Sequence, residues 1–338
     1  MAAHKYAELK EEHMTIKEVA KLAGVSSAAV SRYFNGGSLS KEKSDRIRRV
    51  VEVTDYKPNP AAHLMRTGKS GQVGVIVPHI HSDSLSRIMT ELVKIMEEEG
   101  YVCIVSYSGG DRDKEIHLID MMQKQQMEGI ILMGTGNYKE LKEAIKICEI
   151  PIVVTGQNIP GIASVYHDDK NALRELTGEM LKTRKKVAFI GVTNRDPAAG
   201  KARRQGVEMA FEDAGLDKES LILVESDFSL EGGYQAMKKL MKEHPDVDGV
   251  ICATDMIAHG ALQAIHDEGK HVPEEIGIAG VGNHWSDTIS NPPLTSVSFK
   301  YRECGVEAGQ LLLKMIREEG RKAEHIQLDY SIVERGSL

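Results

Sequence analysis

The chain has 338 residues, is 41% hydrophobic and carries a formal net charge of −7. This length accommodates two or three domains with sizeable cores. No stretch approaches the ~18 apolar residues of a membrane helix, and no apolar run follows the N-terminus as a signal peptide requires. These features argue against a membrane or secreted protein, and we expect a cytoplasmic one.

Positive charge is concentrated near the N-terminus. Residues 14–69 contain 11 lysines and arginines but only 5 aspartates and glutamates, whereas residues 70–338 carry a formal charge of −12. A small basic segment on an acidic body is suited to contact phosphate groups at one end. The polar residues 1–13 are expected to form a disordered tail.

Residues 14–35 show the pattern of a helix-turn-helix. Thr15 and Glu18 form a capping box at the start of a first helix, and the apolar residues that follow repeat at helical spacing. Gly24 tolerates the left-handed conformation of a helix C-terminus, and Ser26 is a good N-cap for a second helix that reaches about residue 35. Such a pair of helices places the second one in the major groove of DNA.

Two further helices are predicted after this motif. Ser40 caps the first of them, over residues 41–53. Asn59, Pro60 and Gly68 carry the start and stop signals of a second helix of about two turns. An isolated helix this short is marginal in water, so we expect a hinge that is ordered only when it is docked. A plain linker is the alternative.

From residue 72 the pattern alternates between apolar strands and amphipathic helices. Strands are predicted over residues 72–78, 101–107, 129–133, 152–155, 187–190, 249–253 and 277–281, with helices over 85–99 and 114–126 and between the later strands. This pattern indicates a parallel α/β sheet. The number of strands predicts two similar subdomains whose loops face a common cleft, and residues 294–299 are predicted to be a late strand that returns between them.

Four segments resemble the LacI/GalR family of bacterial transcription repressors. They are TIKEVAKLAGVS at residues 15–26, YKPNPAA at 56–62, ATDMIAHG at 253–260 and PPLTSV at 292–297. The resemblance covers nearly the whole chain from Thr15. It implies an α/β protein with a three-helix headpiece at residues 14–58, a hinge helix or linker at 59–70 and a periplasmic-binding-protein-like, effector-binding and dimerisation core at 71–338. We expect the N-subdomain at about 71–168 and 300–327, and the C-subdomain at about 169–297 and 328–338.

The resemblance implies a repressor rather than an enzyme. Two headpieces of a homodimer would bind a palindromic operator in double-stranded DNA, and a sugar or sugar phosphate effector would release it allosterically. The protein would be nucleoid-associated, with no membrane contact. The Gly156-Gln157 pair and the His-Asp-Asp run at residues 167–169 are similar to sucrose-type repressors. A corepressor-dependent regulator or an activator with a non-sugar effector is the alternative, because the sequence does not set the sign of the response.

Ten residues are candidates for DNA contact. Arg32 can bond guanine O6 and N7 with two donors, and Ser27 and Ala28 occupy the two base-reading positions of the family. Met65 matches the position where the family inserts leucine between base pairs; a gap-filling core residue is the alternative. The other candidates are Thr15, Ser26, Ser31 and Asn35, which are placed for phosphate contacts, and Asn59 and Ala62 in the hinge.

Eight residues are candidates for effector binding. The resemblance maps Arg203 to the cleft arginine and Phe228 to an aromatic residue that stacks on the sugar, whereas Asp255 follows a strand end and could instead cap a helix. These side chains suit a hydroxyl-rich ligand, and Arg195 together with Arg203 would favour a phosphorylated one. The other candidates are Ser84, Gln157, Tyr166, Asn283 and Trp285.

The sequence departs from the family at Gly282, where many sugar-binding members carry an aspartate. Asn283 and Trp285 are expected to take over the polar and stacking roles. A lone tryptophan is more often a core residue, and that alternative stays open. The departure also leaves the identity of the effector open.

Other chemistries find little support. Residues 68–70 resemble the end of a P-loop, but the first glycine that the motif requires would fall at His63, and no strand precedes it. Adjacent residues such as 167–169 rarely converge on one metal ion, so a polar loop is favoured there. The four cysteines are far apart with no CxxC spacing. We therefore predict no cofactor, no metal and no catalytic residues. An α/β enzyme would need a nucleophile and base, and a transport binding protein would need a signal peptide.

Overall fold

The computed structural model describes residues 14–34, 36–57, 69–80, 82–134, 136, 138–318 and 323–338. The chain forms two compact units, residues 1–70 and 71–338. Within the described ranges, no helix is long and apolar enough to cross a membrane. Each unit is stabilised by buried apolar side chains of its own.

The N-terminal unit is a three-helix headpiece. Its helices are α1 (Ile16–Ala23), α2 (Ser27–Phe34) and α3 (Lys41–Thr54). As predicted, α1 begins with a capping box, in which Glu18 N donates to Thr15 Oγ1 and Thr15 N donates to Glu18 Oε2 at 2.6 Å. Gly24 ends the helix in the left-handed region, with φ of 62°. Ser40 precedes α3 as predicted, but its side chain makes no capping hydrogen bond.

Two sheets form the C-terminal unit. The first contains β1 (Gln72–Val77), β2 (Val102–Tyr107), β3 (Gly129–Met133), β4 (Ile152–Thr155), β5 (Ser164–His167) and β11 (His325–Leu328). Its order is β11-β5-β4-β3-β1-β2, and its strand pairs are parallel. The central strands are almost completely buried, as expected when helices cover both faces of a parallel sheet.

The second sheet repeats this arrangement. It contains β6 (Val187–Gly191), β7 (Ile222–Glu225), β8 (Gly249–Cys252), β9 (Gly277–Val281), β10 (Thr295–Phe299) and β12 (Tyr330–Val333), in the order β12-β10-β9-β8-β6-β7. Among the described strands of this sheet, β10 and β12 form an antiparallel pair and the other pairs are parallel. The late strand predicted over residues 294–299 is confirmed as β10, but it is an interior strand of this sheet and the chain returns to the first sheet only after it. The chain crosses between the sheets after β5, after β10 and after β11.

Helices pack on both sheets. In chain order they are α4 (Asp83–Glu98), α5 (Arg112–Lys124), α6 (Lys139–Ile147), α7 (Asp169–Leu181), α8 (Arg203–Asp213), α9 (Leu230–Glu243), α10 (Asp255–Asp267) and α11 (Tyr301–Arg317). A π-helical segment (Pro197–Ala202) precedes α8, and a short 3₁₀ helix (Trp285–Thr288) follows β9. Helices α4, α5, α6 and α11 flank the first sheet, and α7 to α10 flank the second.

The strand order determines where a ligand can bind. In the first sheet the order of the chain reverses between β1 and β3, and in the second it reverses between β6 and β8. Loops diverge at such points beyond the carboxyl ends of the strands and leave a crevice between them. The segments that follow β1, β3, β6 and β8 are therefore the ones expected to surround a ligand.

Candidate functional site

Helix α2 presents small polar side chains and one arginine to solvent. Ala29 and Val30 are buried against the other two helices. On the remaining surface Ala28 and Arg32 are exposed, whereas Ser27 is half-buried. The structure therefore places all three predicted base-reading residues on accessible positions of one short helix. Their roles at DNA stay predictions.

Two of the four predicted phosphate contacts, Thr15 and Ser26, coincide with helix caps. Ser26 Oγ accepts a hydrogen bond from Ala29 N at 3.2 Å, so this serine is both an exposed residue and a cap. Thr15 Oγ1 lies 2.8 Å from Glu18 Oε2, and it therefore already has a partner within α1. Ser31 is half-buried. The other four candidates, Asn35, Asn59, Ala62 and Met65, lie outside the described residues.

An arginine that sequence reasoning missed holds the first helix in place. Arg46, on α3, donates from Nε to the Ala23 carbonyl at 2.9 Å and from Nη2 to the Gly24 carbonyl at 2.8 Å. These carbonyls belong to the C-terminus of α1, where the helix itself offers no partners. A side chain on Gly24 would also collide with the guanidinium, since a Cβ there would lie 2.2 Å from Arg46 Nη2. Arg46 thus fixes the orientation of α1 against α3.

The C-terminal unit contains a cavity of about 590 Å³ at the switch points of both sheets. Its walls come from the segments after β1, β3 and β4 on one side and after β6, β7, β8 and β9 on the other. This size falls within the usual range for small-molecule sites. Five of the eight predicted effector residues line it, namely Ser84, Gln157, Arg203, Phe228 and Asp255.

Arg203 lies deep in this cavity but is already paired. Its Nε donates to Asp169 Oδ1 at 2.7 Å and its Nη1 donates to the Ala253 carbonyl at 2.5 Å. Both members of the ion pair are buried. Asp169, the first residue of α7, also lines the cavity and was missed as a site residue. The pair leaves little uncompensated positive charge for an anionic ligand.

Asp255 is an internal anchor rather than a helix cap. Thr254 caps α10, because its side chain accepts from Ile257 N. Asp255 instead accepts from Ser296 Oγ at 2.6 Å and from His284 N at 3.0 Å. Burial and the neighbouring Asp287 carboxylate raise the pKa of Asp255 to about 7. The residue fixes the loop after β9 against β10 while it remains on the cavity wall.

Two buried polar atoms on the cavity wall have no partner among the described residues. They are Gln157 Oε1 and His167 Nε2. Gln157 is oriented by a hydrogen bond from Nε2 to the Gly136 carbonyl at 2.9 Å. The His167 ring packs between Phe299 and Tyr301, with centroids 4.9 and 5.2 Å away. Burial lowers the pKa of His167 and favours the neutral ring. Unpartnered groups of this kind gain most from a ligand that supplies hydrogen bonds.

Ser84 and Phe228 line the cavity from the segments that follow β1 and β7 respectively. Ser84 was predicted in a loop, but it lies in the first turn of α4, where its Oγ is 3.0 Å from the Oγ of Ser82. Phe228 is 38% exposed, and its ring centroid lies 5.5 Å from that of His79. An aromatic face that is partly open beside hydrogen-bonding groups suits the apolar side of a sugar ring.

Three predicted effector residues do not line the cavity. Tyr166 lies on β5, where its neighbour His167 occupies the cavity wall. Asn283 adopts φ of 48°, and its side chain donates to Ser298 and accepts from Arg335. Trp285 is 65% exposed in the short 3₁₀ helix. The chain turns sharply after Gly282, so the two residues expected to replace the family's aspartate are directed elsewhere.

Each of the three residues at positions 167–169 has a different structural role. His167 packs against aromatic rings, Asp168 caps α7 by accepting from Asn171 N, and Asp169 pairs with Arg203. The polar loop predicted there is instead the end of β5 and the start of α7. Among the residues that the structure describes, no group of three or more potential ligands is arranged to hold a metal ion.

A helix-turn-helix unit followed by a two-sheet core with a cavity at its switch points is an architecture of bacterial transcription regulators. Residues 15–59 match the model for bacterial regulatory proteins of the lacI family, and residues 182–338 match that for a periplasmic binding protein-like domain. Catabolite control protein A of Priestia megaterium is 30% identical over 329 residues, which cover 96% of this chain and 99% of that protein. The sucrose operon repressor of Staphylococcus xylosus is 26% identical over 306 residues, with coverage of 90% and 94%.

Solved structures show the same fold. The lac repressor dimer bound to operator and the anti-inducer ONPF superposes with a TM-score of 0.87 at 20% identity, over 96% of this chain and 99% of that chain. The complex of the transcriptional regulator CelR with cellobiose gives a TM-score of 0.73 at 23% identity, with the same coverage. The chain belongs to the LacI family of bacterial regulatory proteins. The family resemblance and the α/β fold class are confirmed.

Proposed function

We propose that the protein is a transcriptional repressor that binds a palindromic operator as a homodimer and is released by a sugar or sugar phosphate effector. One observation carries this proposal. The chain combines an exposed recognition helix with a cavity whose wall contains buried polar atoms that have no hydrogen-bond partner among the described residues, beside an aromatic ring. The related sucrose operon repressor and the cellobiose complex of CelR support a saccharide as the effector.

Helix α2 is the proposed reading element. The exposed Arg32 would bond a guanine, and Ser27 and Ala28 would contact a thymine methyl group or act through water. The excess of lysine and arginine in residues 14–69 would supply phosphate contacts. Affinity for DNA should therefore fall steeply as the salt concentration rises.

Exposed apolar side chains on the core support a dimer. Val102, Val105 and Tyr107 on the edge strand β2 are 58%, 47% and 46% exposed, and Trp285 and Ile289 are 65% and 71% exposed. Surfaces of this kind commonly mark interfaces, and an edge strand also carries unpaired backbone groups. We propose that the dimer contact includes β2 and helix α4. Sedimentation velocity of the full chain tests the assembly, and a stable monomer would contradict it.

The effector would act through the arrangement of the two sheets. A ligand shifts an equilibrium only when it binds the two conformations with different affinity. Residues on both sides of the cavity, such as Gln157 and Phe228, allow a ligand to favour one arrangement over another. We propose that the resulting movement separates the two hinge segments of the dimer. The hinges then lose their helical structure and the affinity for DNA falls.

Selection of DNA from a random duplex pool tests the DNA-binding part of the proposal. The full-length protein is expected to enrich one sequence with two inverted half-sites, as a symmetric dimer requires. Enrichment of a single half-site would exclude the palindromic mode, and no enrichment would exclude specific binding. Arg32→Lys is a suitable control, because it keeps the charge but loses the paired donors.

A further inference from the structure

A second cavity, of about 540 Å³, lies beside the cavity of about 590 Å³ described above, which we call the cleft cavity. The two share His79, Asp196 and Phe228, so they are adjoining parts of one crevice. We call the second one the outer cavity. Its remaining wall comes from the N-terminal end of α5, the segment before α6 and the loop after β6. None of the eight residues predicted from the sequence as effector contacts lies there except Phe228.

The outer cavity contains a buried carboxylate with an unused oxygen. Glu115 is 1% exposed, and its Oε1 has no hydrogen-bond partner among the described residues. Its Oε2 lies 2.9 Å from the hydroxyl of Tyr138, which is also 3.1 Å from the Arg112 carbonyl. The Arg112 guanidinium stands 4.9 Å from the centroid of the Tyr138 ring. Tyr138 orients the carboxylate and the Ser108 side chain also interacts with it, and Oε1 still has the capacity to accept a hydrogen bond from a ligand.

Charge distinguishes the ligands that this crevice can accept. Asp111, Asp113, Glu115 and Asp196 line the outer cavity against only Arg112 and Arg195. Even if Glu115 is protonated, acids still outnumber arginines there. A phosphate group is favoured by a surplus of positive charge, which this wall does not supply.

The cleft cavity leads to the same conclusion. Asp83, Asp169, Asp196 and Asp255 line it, and its arginine, Arg203, already pairs with Asp169. Arg195 is on the wall of the outer cavity and not of this one. The phosphorylated ligand that the sequence suggested is therefore disfavoured, and hydroxyl groups, which donate to carboxylates, are favoured.

We propose that the outer cavity is a second subsite of the effector site and that the effector is an uncharged saccharide of at least two sugar units. This inference rests on the proposed function. One unit would occupy the cleft cavity near Gln157 and His167, with Phe228 at the junction. The next unit would donate a hydroxyl hydrogen bond to Glu115 Oε1 and pack beside the Tyr138 ring.

Calorimetric titration of the full-length protein tests this subsite without DNA. The probes are sucrose, cellobiose, maltose and trehalose, with glucose, fructose, glucose 6-phosphate and sucrose 6-phosphate. We expect one neutral disaccharide to bind about tenfold or more tightly than its component monosaccharides and its phosphorylated form. Glu115→Gln keeps the size of the side chain but can present an amide donor in place of the free acceptor. It should weaken the disaccharide about tenfold and the monosaccharide less than about twofold.

Two controls make the result decisive. Tyr138→Phe, which removes only the hydroxyl that orients Glu115, should weaken the disaccharide selectively, whereas the exposed Glu143→Gln should change nothing. A phosphorylated sugar that binds most tightly, or a Glu115→Gln variant that affects both saccharides equally, would overturn the second subsite and leave a saccharide-responsive regulator intact. If none of the probes binds while selected DNA does, the saccharide effector itself is wrong.

Discussion

Arg87 Nη2 donates a hydrogen bond to the Asn283 carbonyl at 2.8 Å, and Nη1 donates to the Gly282 carbonyl at 3.2 Å. Arg87 lies on α4 beside the first sheet, whereas the two carbonyls follow β9 of the second sheet. The same arginine pairs through Nε with Asp83 Oδ2 at 2.7 Å. His284 Nε2 lies 3.6 Å from the other oxygen of Asp83. These contacts connect the two sheets at the edge of the cavity.

Arg87→Ala should weaken ligand binding. The change removes two hydrogen bonds from a charged donor, each worth about 1–3 kcal/mol before solvent exposure reduces it. If these bonds stabilise the ligand-binding arrangement of the sheets, the apparent affinity should fall about tenfold. Calorimetry measures this directly. Lys124→Ala, which breaks an exposed ion pair with Asp120 on α5, is the matched control. Equal affinities for the two variants would show that Arg87 does not stabilise the binding arrangement.

Arg32→Ala should cost about 1–3 kcal/mol at one base position of the operator. The reason is that a guanidinium pairs with guanine through two donors, which no other base in that position accepts in the same way. Affinities for a set of single-position operator variants provide the measurement. The wild-type preference at that position should disappear, and the other positions should keep theirs. Uniform weakening across all variants would assign Arg32 to phosphate contact instead.

Arg46→Ala should loosen α1 within the headpiece. The arginine satisfies the carbonyls of Ala23 and Gly24, and its loss should reduce the free energy of opening of α1 by about 1 kcal/mol. Hydrogen–deuterium exchange of the full-length protein should show faster exchange in α1. Arg48→Ala removes an exposed ion pair with Asp45 on the same helix and should leave α1 unchanged. If α1 is equally protected from exchange in the Arg46→Ala variant, Arg46 does not hold this helix in place.

Glycine at both Ala61 and Ala62 should abolish specific operator binding and leave ligand affinity intact. Each substitution costs a helix about 1 kcal/mol, and a helix of two turns has little stability to lose. Both positions lie outside the described residues, so operator binding is the measurement that tests the proposed hinge helix. Operator binding that survives in the double variant would contradict the hinge mechanism.

Asp255 should make the stability of the core depend on pH. Burial and Asp287 raise its pKa from 3.8 to about 7, so between these values the folded protein holds a proton that the unfolded chain has released. The free energy of unfolding should therefore fall as pH rises through this window, by up to about 1.4 kcal/mol per pH unit. The stabilising contribution is complete below the ordinary pKa and is lost above about 7.

Urea unfolding at several pH values in this window gives the slope of the free energy of unfolding against pH. Asp255→Asn should make this slope smaller. The slopes are compared rather than the absolute free energies of unfolding, because asparagine cannot accept both hydrogen bonds of the carboxylate. Asp213→Asn is a control that should leave the slope in this window unchanged. Hydrogen bonding to Arg174 lowers the pKa of Asp213, so its contribution to stability changes with pH only below the ordinary value of 3.8. Identical slopes for wild type and Asp255→Asn would refute the proton-binding account.

Much of the fold follows from local patterns. The capping box at Thr15, the glycine at position 24 and the continuous apolar runs of β1, β3 and β9 are signals that need no tertiary information. Strands β5, β7, β11 and β12 were missed. Each has four residues, and three of them are only partly buried. A segment that short carries too few residues for a periodic signal, and its conformation is determined by the neighbouring strand.

The candidate site was predictable only in part. The family resemblance indicated Arg203 and Phe228, Asp255 follows a strand end, and the structure brings all three to one cavity. Asn283 and Trp285 do not join them. Gly282 has φ of 140°, and a Cβ there would lie 2.7 Å from Asp255 Oδ2, so Asp255 occupies the space that a side chain at 282 would need.

Residues whose roles depend on contacts with residues far away in the sequence could not be identified from local sequence patterns. Arg87 and Glu115 sit at ordinary helical positions among other charged residues. Their roles depend on carbonyls 195 and 196 residues away for Arg87 and on a hydroxyl 23 residues away for Glu115. No local pattern encodes such contacts.

The central claim is that a saccharide bound in the core controls the affinity of the headpiece for DNA. The most direct measurement is fluorescence anisotropy of the selected operator duplex with full-length protein, titrated with the neutral disaccharides, their monosaccharides and the sugar phosphates. We predict that one neutral disaccharide releases the duplex and that a scrambled duplex is unaffected. Operator binding that none of these compounds changes would contradict the account, and binding that one of them strengthens would make the protein a corepressor-dependent regulator.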